Sequence, residues 1–342
     1  MYGLSMQIAS VQGNHLSVAT TYNGLEFKIF KINEVIYYLL PAKSTTSYQK
    51  SLEPHWVKIC NELNPDIIHI HGTEFTHGLA CMRSCPSLNY IVSIQGMVGI
   101  YSRYYYAGIN SRALLKHITF RDLVRFDTVF QAKRKFKKRG IFEKEYFQRT
   151  HNVIGRTSWD YAHVRAINQK VNYHFCNESL RDVFYAAEKW DINNKSDYTI
   201  FLSQATYPIK GLHQILKAVA LLKEEYPKIK IRIAGSSIIK YSTILEKIKL
   251  SGYGSYIQNL IRKLNLYDHV QFIGMLKEEQ MVAEFKNAHI FICPSSIENS
   301  PNSLGEAQLL GVPVVASYVG GIPDMVTHGE TGLLTRLLNM KL

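Results

Sequence analysis

Short β-branched apolar runs alternate with helical patterns along most of the chain, and that alternation limits the fold more than any other feature. Runs that are apolar throughout suit strands buried on both faces. Strands are expected at 16–21, 66–71, 90–94, 153–155, 199–203, 229–234, 270–273, 289–293 and 314–317. The clearest helix is expected at 211–225, where Leu212, Ile215, Leu216, Val219 and Leu222 hold one face until Pro227 stops it. Strand then helix, repeated, means parallel sheets built from right-handed βαβ units. The polar stretch EKWDINNKSD at 188–197 breaks the series. It divides the chain into an N-terminal domain, 1–190, and a C-terminal domain, 197–342.

Two domains suit 342 residues at about 150 each. An apolar fraction of 46% excludes a disordered tail, a collagen or a disulfide scaffold. The expected fold class is α/β, with two doubly wound parallel-sheet domains facing across a crevice lined by the carboxyl ends of their strands. No stretch is apolar enough for a membrane span, and the first twenty residues lack the layout of a signal peptide. Five cysteines without C-x-x-C or metal spacing read as reduced thiols, which suits a cytoplasmic location.

Forty Lys and Arg stand against 27 Asp and Glu, a net charge of +13 that favours an anionic partner. Residues 112–149 hold twelve of the cations and four acids, accompanied by Leu114, Leu115, Ile118, Phe120, Leu123, Val124, Phe126, Val129 and Phe130. Part of this segment reads as a basic amphipathic helix able to lie on an anionic membrane surface. A helix packing its apolar side on its own domain fits equally well. No recognised nucleic-acid motif occurs, so no nucleic-acid partner is expected.

Chemistry concentrates at 291–317, FICPSSIENSPNSLGEAQLLGVPVVAS, which reads as strand, loop, helix, strand. Ser300 suits an N-cap with Pro301 at the first helical position, and Gly311 before Pro313 suits a stop. The amides near Asn302 and Ser303 then stand at a positive helix end, ready for phosphates. Glu298 and Glu306 frame that start. Carboxylates accept two hydroxyl hydrogen bonds and favour a developing oxocarbenium ion, although a solvated loop acid and an early-helix acid would look the same.

Glu298 and Glu306 stand as E-x7-E, followed by GVPVVAS at 311–317, GGIPD at 320–324 and HGETGL at 328–333. This pattern resembles the retaining glycosyltransferases of family 4, which share the two-domain GT-B fold. The resemblance is strong from about Thr199 onward and looser before it. It implies that Glu306 holds the ribose of a nucleotide-sugar, that Glu298 contacts the transferred sugar, and that Asn302 and Ser303 meet the diphosphate or sugar. It further implies that Lys210, in YPIKG, neutralises the diphosphate, that the main chain at Met275 contacts the base, and that Gly320 and Gly321 approach the sugar. A lone lysine before a glycine would otherwise be an ordinary surface residue.

Several positions depart from the family. Many members have Gly-Arg before the lysine where this chain has Gln204 and Ala205, so a second phosphate-binding cation is not expected there. Gln95-Gly96 replaces a common His-Gly, and a glutamine cannot serve as a base. His69 and His71 share a sheet face, and His71, next to Gly72 at the strand end, is the better catalytic candidate. Retaining members are thought to use the departing phosphate as base. Arg156 could meet an anionic group, be solvated, or pair with Asp160. Relative to the family, the chain is expected to lack an opening strand and closing helices.

The expected reaction moves a sugar from a nucleotide-diphosphate donor to a hydroxyl of a cell-surface glycan precursor, lipid-linked, with retention, and with no cofactor or metal. Peripheral attachment to the inner face of the cell membrane would follow from 112–149. The rivals are a sugar-nucleotide epimerase and a non-catalytic nucleotide- or glycan-binding protein.

Overall fold

The computed structural model describes residues 2–44, 46–239, 243 and 248–336. The N-terminal elements are α1 (Tyr2–Ser10), β1 (Ser17–Tyr22), β2 (Lys28–Ile32), β3 (Val35–Pro41), α2 (Glu53–Leu63), β4 (Ile68–His71), α3 (His77–Ser84) and β5 (Tyr90–Ser93). There follow α4 (Val98–Tyr104), α5 (Ser111–Lys116), α6 (Phe120–Val124), α7 (Val129–Arg149), β6 (Asn152–Gly155), α8 (Ser158–Ile167) and β7 (Asn172–Phe175). The C-terminal elements are α9 (Asp182–Ala186), β8 (Thr199–Leu202), α10 (Leu212–Leu222), β9 (Lys230–Ile233), α11 (Gly252–Lys263), β10 (Val270–Phe272), α12 (Glu278–Asn287), β11 (Ile290–Cys293), α13 (Asn302–Leu310), β12 (Val314–Ser317) and β13 (Leu333–Thr335).

All nine expected strands are present, within two residues at either end. Among the described residues, four other strands were not expected. β2 has every residue exposed, so its KIFKI pattern carries no buried face to betray it. It pairs antiparallel with β3 through a turn at Asn33, whose φ of 53° is the left-handed conformation that asparagine tolerates. β7 and β13 are short and largely exposed edge strands.

The chain forms two compact units, and their division differs from the one expected at 188–197. One contains 1–99 and 137–179, the other 100–136 and 180–342. The first holds a four-stranded parallel sheet in the order β4-β5-β6-β7 and a three-stranded sheet, β1-β3-β2, in which only β1 and β3 are parallel. The second holds a six-stranded parallel sheet, β10-β9-β8-β11-β12-β13.

That sheet is covered on both faces, as parallel sheets are. Ile200, Leu202, Ile231 and Ile233 meet α10 and α11 on one side. Phe201, Phe291 and Cys293 meet Phe184, Phe285 and Leu304 on the other. α10 ends at Leu222, well before Pro227, and Leu222 is exposed where the periodicity had placed it on the buried face.

Segment 112–149 falls in three helices, of which the longest, α7, is the basic one. Thr119 caps α6 by accepting from the Asp122 amide, and Thr128 caps α7 by accepting from the Gln131 amide. Leu114 enters the core beside α11, with Val129 and Phe130 packed against it. The buried Asp122 carboxylate accepts the Gly252 amide at 2.8 Å, at the positive end of α11. Leu115, Phe120, Leu123, Val124 and Phe126 are left exposed. All five cysteines are free thiols; Cys60, Cys81 and Cys293 are buried and Cys176 is exposed.

Candidate functional site

The strand order of the C-terminal sheet reverses between β8 and β11, its topological switch point. The loops that leave the carboxyl ends of those two strands must lie side by side, which is where such sheets bind ligands. The loop after β8 carries Lys210 and the loop after β11 carries Glu298. They meet there. Lys210 Nζ donates to Glu298 Oε1 at 2.6 Å, and Ser295 Oγ donates to the same oxygen at 2.8 Å. Burial works against the Lys210 charge, but the Glu298 carboxylate and Tyr207 outweigh it and raise the lysine pKa. Burial also pushes the Cys293 thiol just beneath this pair up to about 12, so it stays protonated.

Two glycines permit the close chain approach. Gly211 has φ 75°, and a Cβ there would stand 2.0 Å from the Pro294 carbonyl oxygen. At Gly320, with φ 56°, a Cβ would stand 1.8 Å from the Glu298 carbonyl oxygen, and the Gly321 amide donates to that oxygen at 3.1 Å. Tyr101 Oη accepts the Asn299 amide at 2.9 Å, fixing the loop from the other side.

α13 starts one residue later than expected: Pro301 is the N-cap, and Ser300 Oγ is buried without a hydrogen-bond partner instead of capping the helix. The ring of proline fixes φ at a value compatible with a helix start but offers the first-turn amides no side-chain acceptor. Asn302 and Ser303 occupy the first turn of α13, the positive end of its dipole. Glu306 lies one turn on, 5% exposed, and its carboxylate is held by Arg181, Nε to Oε1 at 2.8 Å and Nη2 to Oε2 at 2.9 Å. Met275 stands in its own loop beyond β10, with its side chain exposed.

In the N-terminal unit the carboxyl ends of β4, β5 and β6 gather a second group. His69 and His71 share a face as expected, their ring centroids 3.9 Å apart, and His69 Nε2 is 2.5 Å from Ser93 Oγ. Burial lowers both pKa values, that of His69 to about 4 with His71 adding to it. Gly72 has φ 81°, and a Cβ there would stand 2.2 Å from Glu74 Oε2 and 3.3 Å from Gln95 Cγ. Arg156 is buried rather than solvated. Its Nη2 donates to Gln95 Oε1 at 2.8 Å, its Nη1 pairs with Glu178 at 2.8 Å, and its backbone amide donates to Asp160. Gln95 and Arg156 are thus brought together, and Gly96 donates its amide to Glu74.

Glu74, Glu143, Ser295 and Arg181 were not singled out by sequence. Burial raises the Glu74 pKa against the pull of its backbone donors and Arg139. Glu143 on α7 accepts the Val98 and Gly99 amides at 2.7 and 3.0 Å, and burial lifts its pKa to about 8. Arg181 stands 125 residues from Glu306, with no motif to join them.

A parallel sheet whose switch point carries a buried Lys210–Glu298 pair, beside the start of α13, is a doubly wound α/β domain with its polar residues where such sheets take ligands. Residues 185–337 match the family model "Glycosyl transferases group 1". D-inositol 3-phosphate glycosyltransferase of Streptomyces scabiei is 31% identical over 137 residues, 38% of this chain and 28% of that protein. Its Pseudarthrobacter chlorophenolicus counterpart is 33% identical over 127 residues, 37% of this chain and 28% of that protein. The chain thus aligns with little more than a quarter of each of these relatives.

Among solved structures, sucrose-phosphate synthase from Thermosynechococcus elongatus superposes with a TM-score of 0.68 at 17% identity, covering 98% of this chain and 78% of that one. WaaG, a glycosyltransferase involved in lipopolysaccharide biosynthesis, gives 0.59 at 14%, covering 98% and 80%. Anabaena HepE in complex with UDP and glucose gives 0.57 at 14%, covering 89% and 73%. The fold is that of the GT-B glycosyltransferases, α/β with two Rossmann-like units, and the group 1 glycosyltransferase model matches residues 185–337 within it.

Proposed function

We propose that the chain is a retaining glycosyltransferase that moves a sugar from a nucleotide-diphosphate-sugar to a hydroxyl of a lipid-linked, cell-surface glycan precursor. The Lys210–Glu298 pair at the switch point of a group 1 domain carries this reading. Lys210 and the amides of Asn302 and Ser303 stabilise the departing diphosphate, the main electrostatic contribution. Glu298 faces the transferred sugar and Glu306 the ribose, with Gly320 and Gly321 bringing the main chain to the sugar and Met275 at the base. The anomeric carbon–phosphate oxygen bond breaks, and the acceptor oxygen bonds to that carbon on the same face. The acceptor proton passes to the leaving phosphate. No metal or cofactor enters this scheme.

His71, Gly72, Gln95, Gly96 and Arg156 take the acceptor side. Burial disfavours the His71 cation, which suits a scheme in which the leaving phosphate and not the imidazole is the base. The membrane side of the proposal rests on exposed Leu115, Phe120, Leu123, Val124 and Phe126 beside exposed Arg112, Lys116 and Arg125. Apolar side chains rimmed by cations fit an anionic lipid surface, such as the inner face of the cell membrane.

The test is a thermal-shift and hydrolysis screen against UDP-, GDP- and ADP-sugars, with Glu306→Ala as control. Stabilisation and slow sugar release with one donor, both lost in the variant, are expected. Release of an epimerised sugar nucleotide without acceptor, or no stabilisation by any donor, would overturn the reading.

A further inference from the structure

The acid assigned above to the ribose already has a partner. Arg181 meets the Glu306 carboxylate edge to edge, through two parallel bonds of 2.8 and 2.9 Å. Those bonds fill the two end-on lone-pair directions of the carboxylate. A vicinal diol binding bidentately needs the same two directions. The lateral lone pairs that remain point away from each other, so one diol cannot use both. Arg181 and a ribose diol therefore compete for Glu306.

Arg181 is built to give way. Its side chain is 33% exposed against 7% for Glu306, and it sits at the N-cap of α9, a helix of five residues. The guanidinium also lies 4.6 Å from the centroid of the Phe184 ring, a contact independent of the carboxylate.

We infer that Arg181 is the counter-ion that a nucleotide's ribose diol displaces from Glu306, setting how tightly donor and nucleoside diphosphate product are held. The inference rests on the donor-site reading of Glu306. In the empty site the ion pair spares a buried carboxylate from standing alone. When nucleotide enters, the diol must replace both bonds, so its apparent affinity is lowered by the fraction of protein in which Glu306 is paired. When product leaves, the guanidinium returns and closes the exchange.

Calorimetric titration of UDP, GDP and ADP, each beside its 2′,3′-dideoxy counterpart, tests this on the parent, Arg181→Met, Arg181→Lys and Glu306→Gln. Arg181→Met should bind the diol nucleotide about tenfold more tightly or better and leave the dideoxy affinity unchanged. Arg181→Lys, which keeps the charge but frees one oxygen, should fall between, and serves if the methionine variant does not fold. Glu306→Gln should lose most of the difference between diol and dideoxy ligands. Weaker diol binding in the Arg181 variants, or equal changes for both ligands, would overturn the inference while leaving the donor site standing. Absence of binding by all three nucleotides to every protein would overturn the donor reading and this inference with it.

Discussion

Replacing Lys210 with methionine keeps a long unbranched stem and removes the ammonium from a carboxylate to which Ser295 also donates. The two side chains are 19% and 9% exposed, so water can do little for the stranded carboxylate. Breaking a buried pair from one side costs about 3–5 kcal/mol. At about 2–4 °C per kcal/mol for a unit of this size, the C-terminal unit should melt roughly 6–20 °C lower. Glu298→Gln alone should also destabilise, by stranding the ammonium. The double variant strands neither charge, and its loss should fall short of the two single losses by about 1–3 kcal/mol. Scanning calorimetry, with urea unfolding as a second probe, gives all three values. The exposed Lys31–Glu34 pair, 56% and 85% exposed, is the control, and Lys31→Met should change stability by less than about 0.5 kcal/mol. A double variant whose loss equals the two single losses added together would refute the reasoning, as would a Lys210→Met melting point within about 1 °C of the parent.

Gly320→Ala puts a methyl 1.8 Å from the Glu298 carbonyl in a left-handed backbone, so unfolding in denaturant should show a loss of about 2 kcal/mol or more. Glu143 has a folded pKa of about 8, above its unfolded value, so the native protein holds the extra proton between the two. Its share of stability is full at low pH and is lost as pH rises from about 4.5 through 8; Glu143→Gln should flatten that part of a melting-temperature profile. Phe120→Ser with Phe126→Ser should abolish flotation with anionic phosphatidylglycerol vesicles while leaving the melting temperature within about 2 °C, because both rings are exposed. Equal flotation with neutral phosphatidylcholine vesicles would count against an electrostatic contribution.

Much of the C-terminal unit was legible because its strands are apolar on both faces, and a run such as TIFL or FIC has few other places to go. The stop at Gly311 was legible from its own conformational need, with φ 78°. β2 was not, because an exposed strand leaves no periodic signature. Segment 112–149 was legible only in part, because dense charge hides the threonine caps that cut it into pieces, and because Asp122 looks like one more solvated acid until Gly252 arrives from far along the chain. At the candidate site, motif and spacing singled out Lys210, Glu298 and Glu306 one by one. The pairing of Lys210 with Glu298, and of Arg181 with Glu306, depends on which strands become neighbours, which local pattern does not encode.

That neighbourhood has a cost in time. Ile200 on β8 pairs with Ile290 on β11, and Phe201 with Phe291. β9 can add to one edge of β8, and β10 to β9, as they are made, but the other edge of β8 waits for a strand some ninety residues later. At about 5–20 residues per second of synthesis, β8 spends roughly 5–18 s as an open edge although all four of its residues are destined for the interior. A nascent chain stalled before β11 should therefore be a strong chaperone client, and one stalled after β13 a weak one.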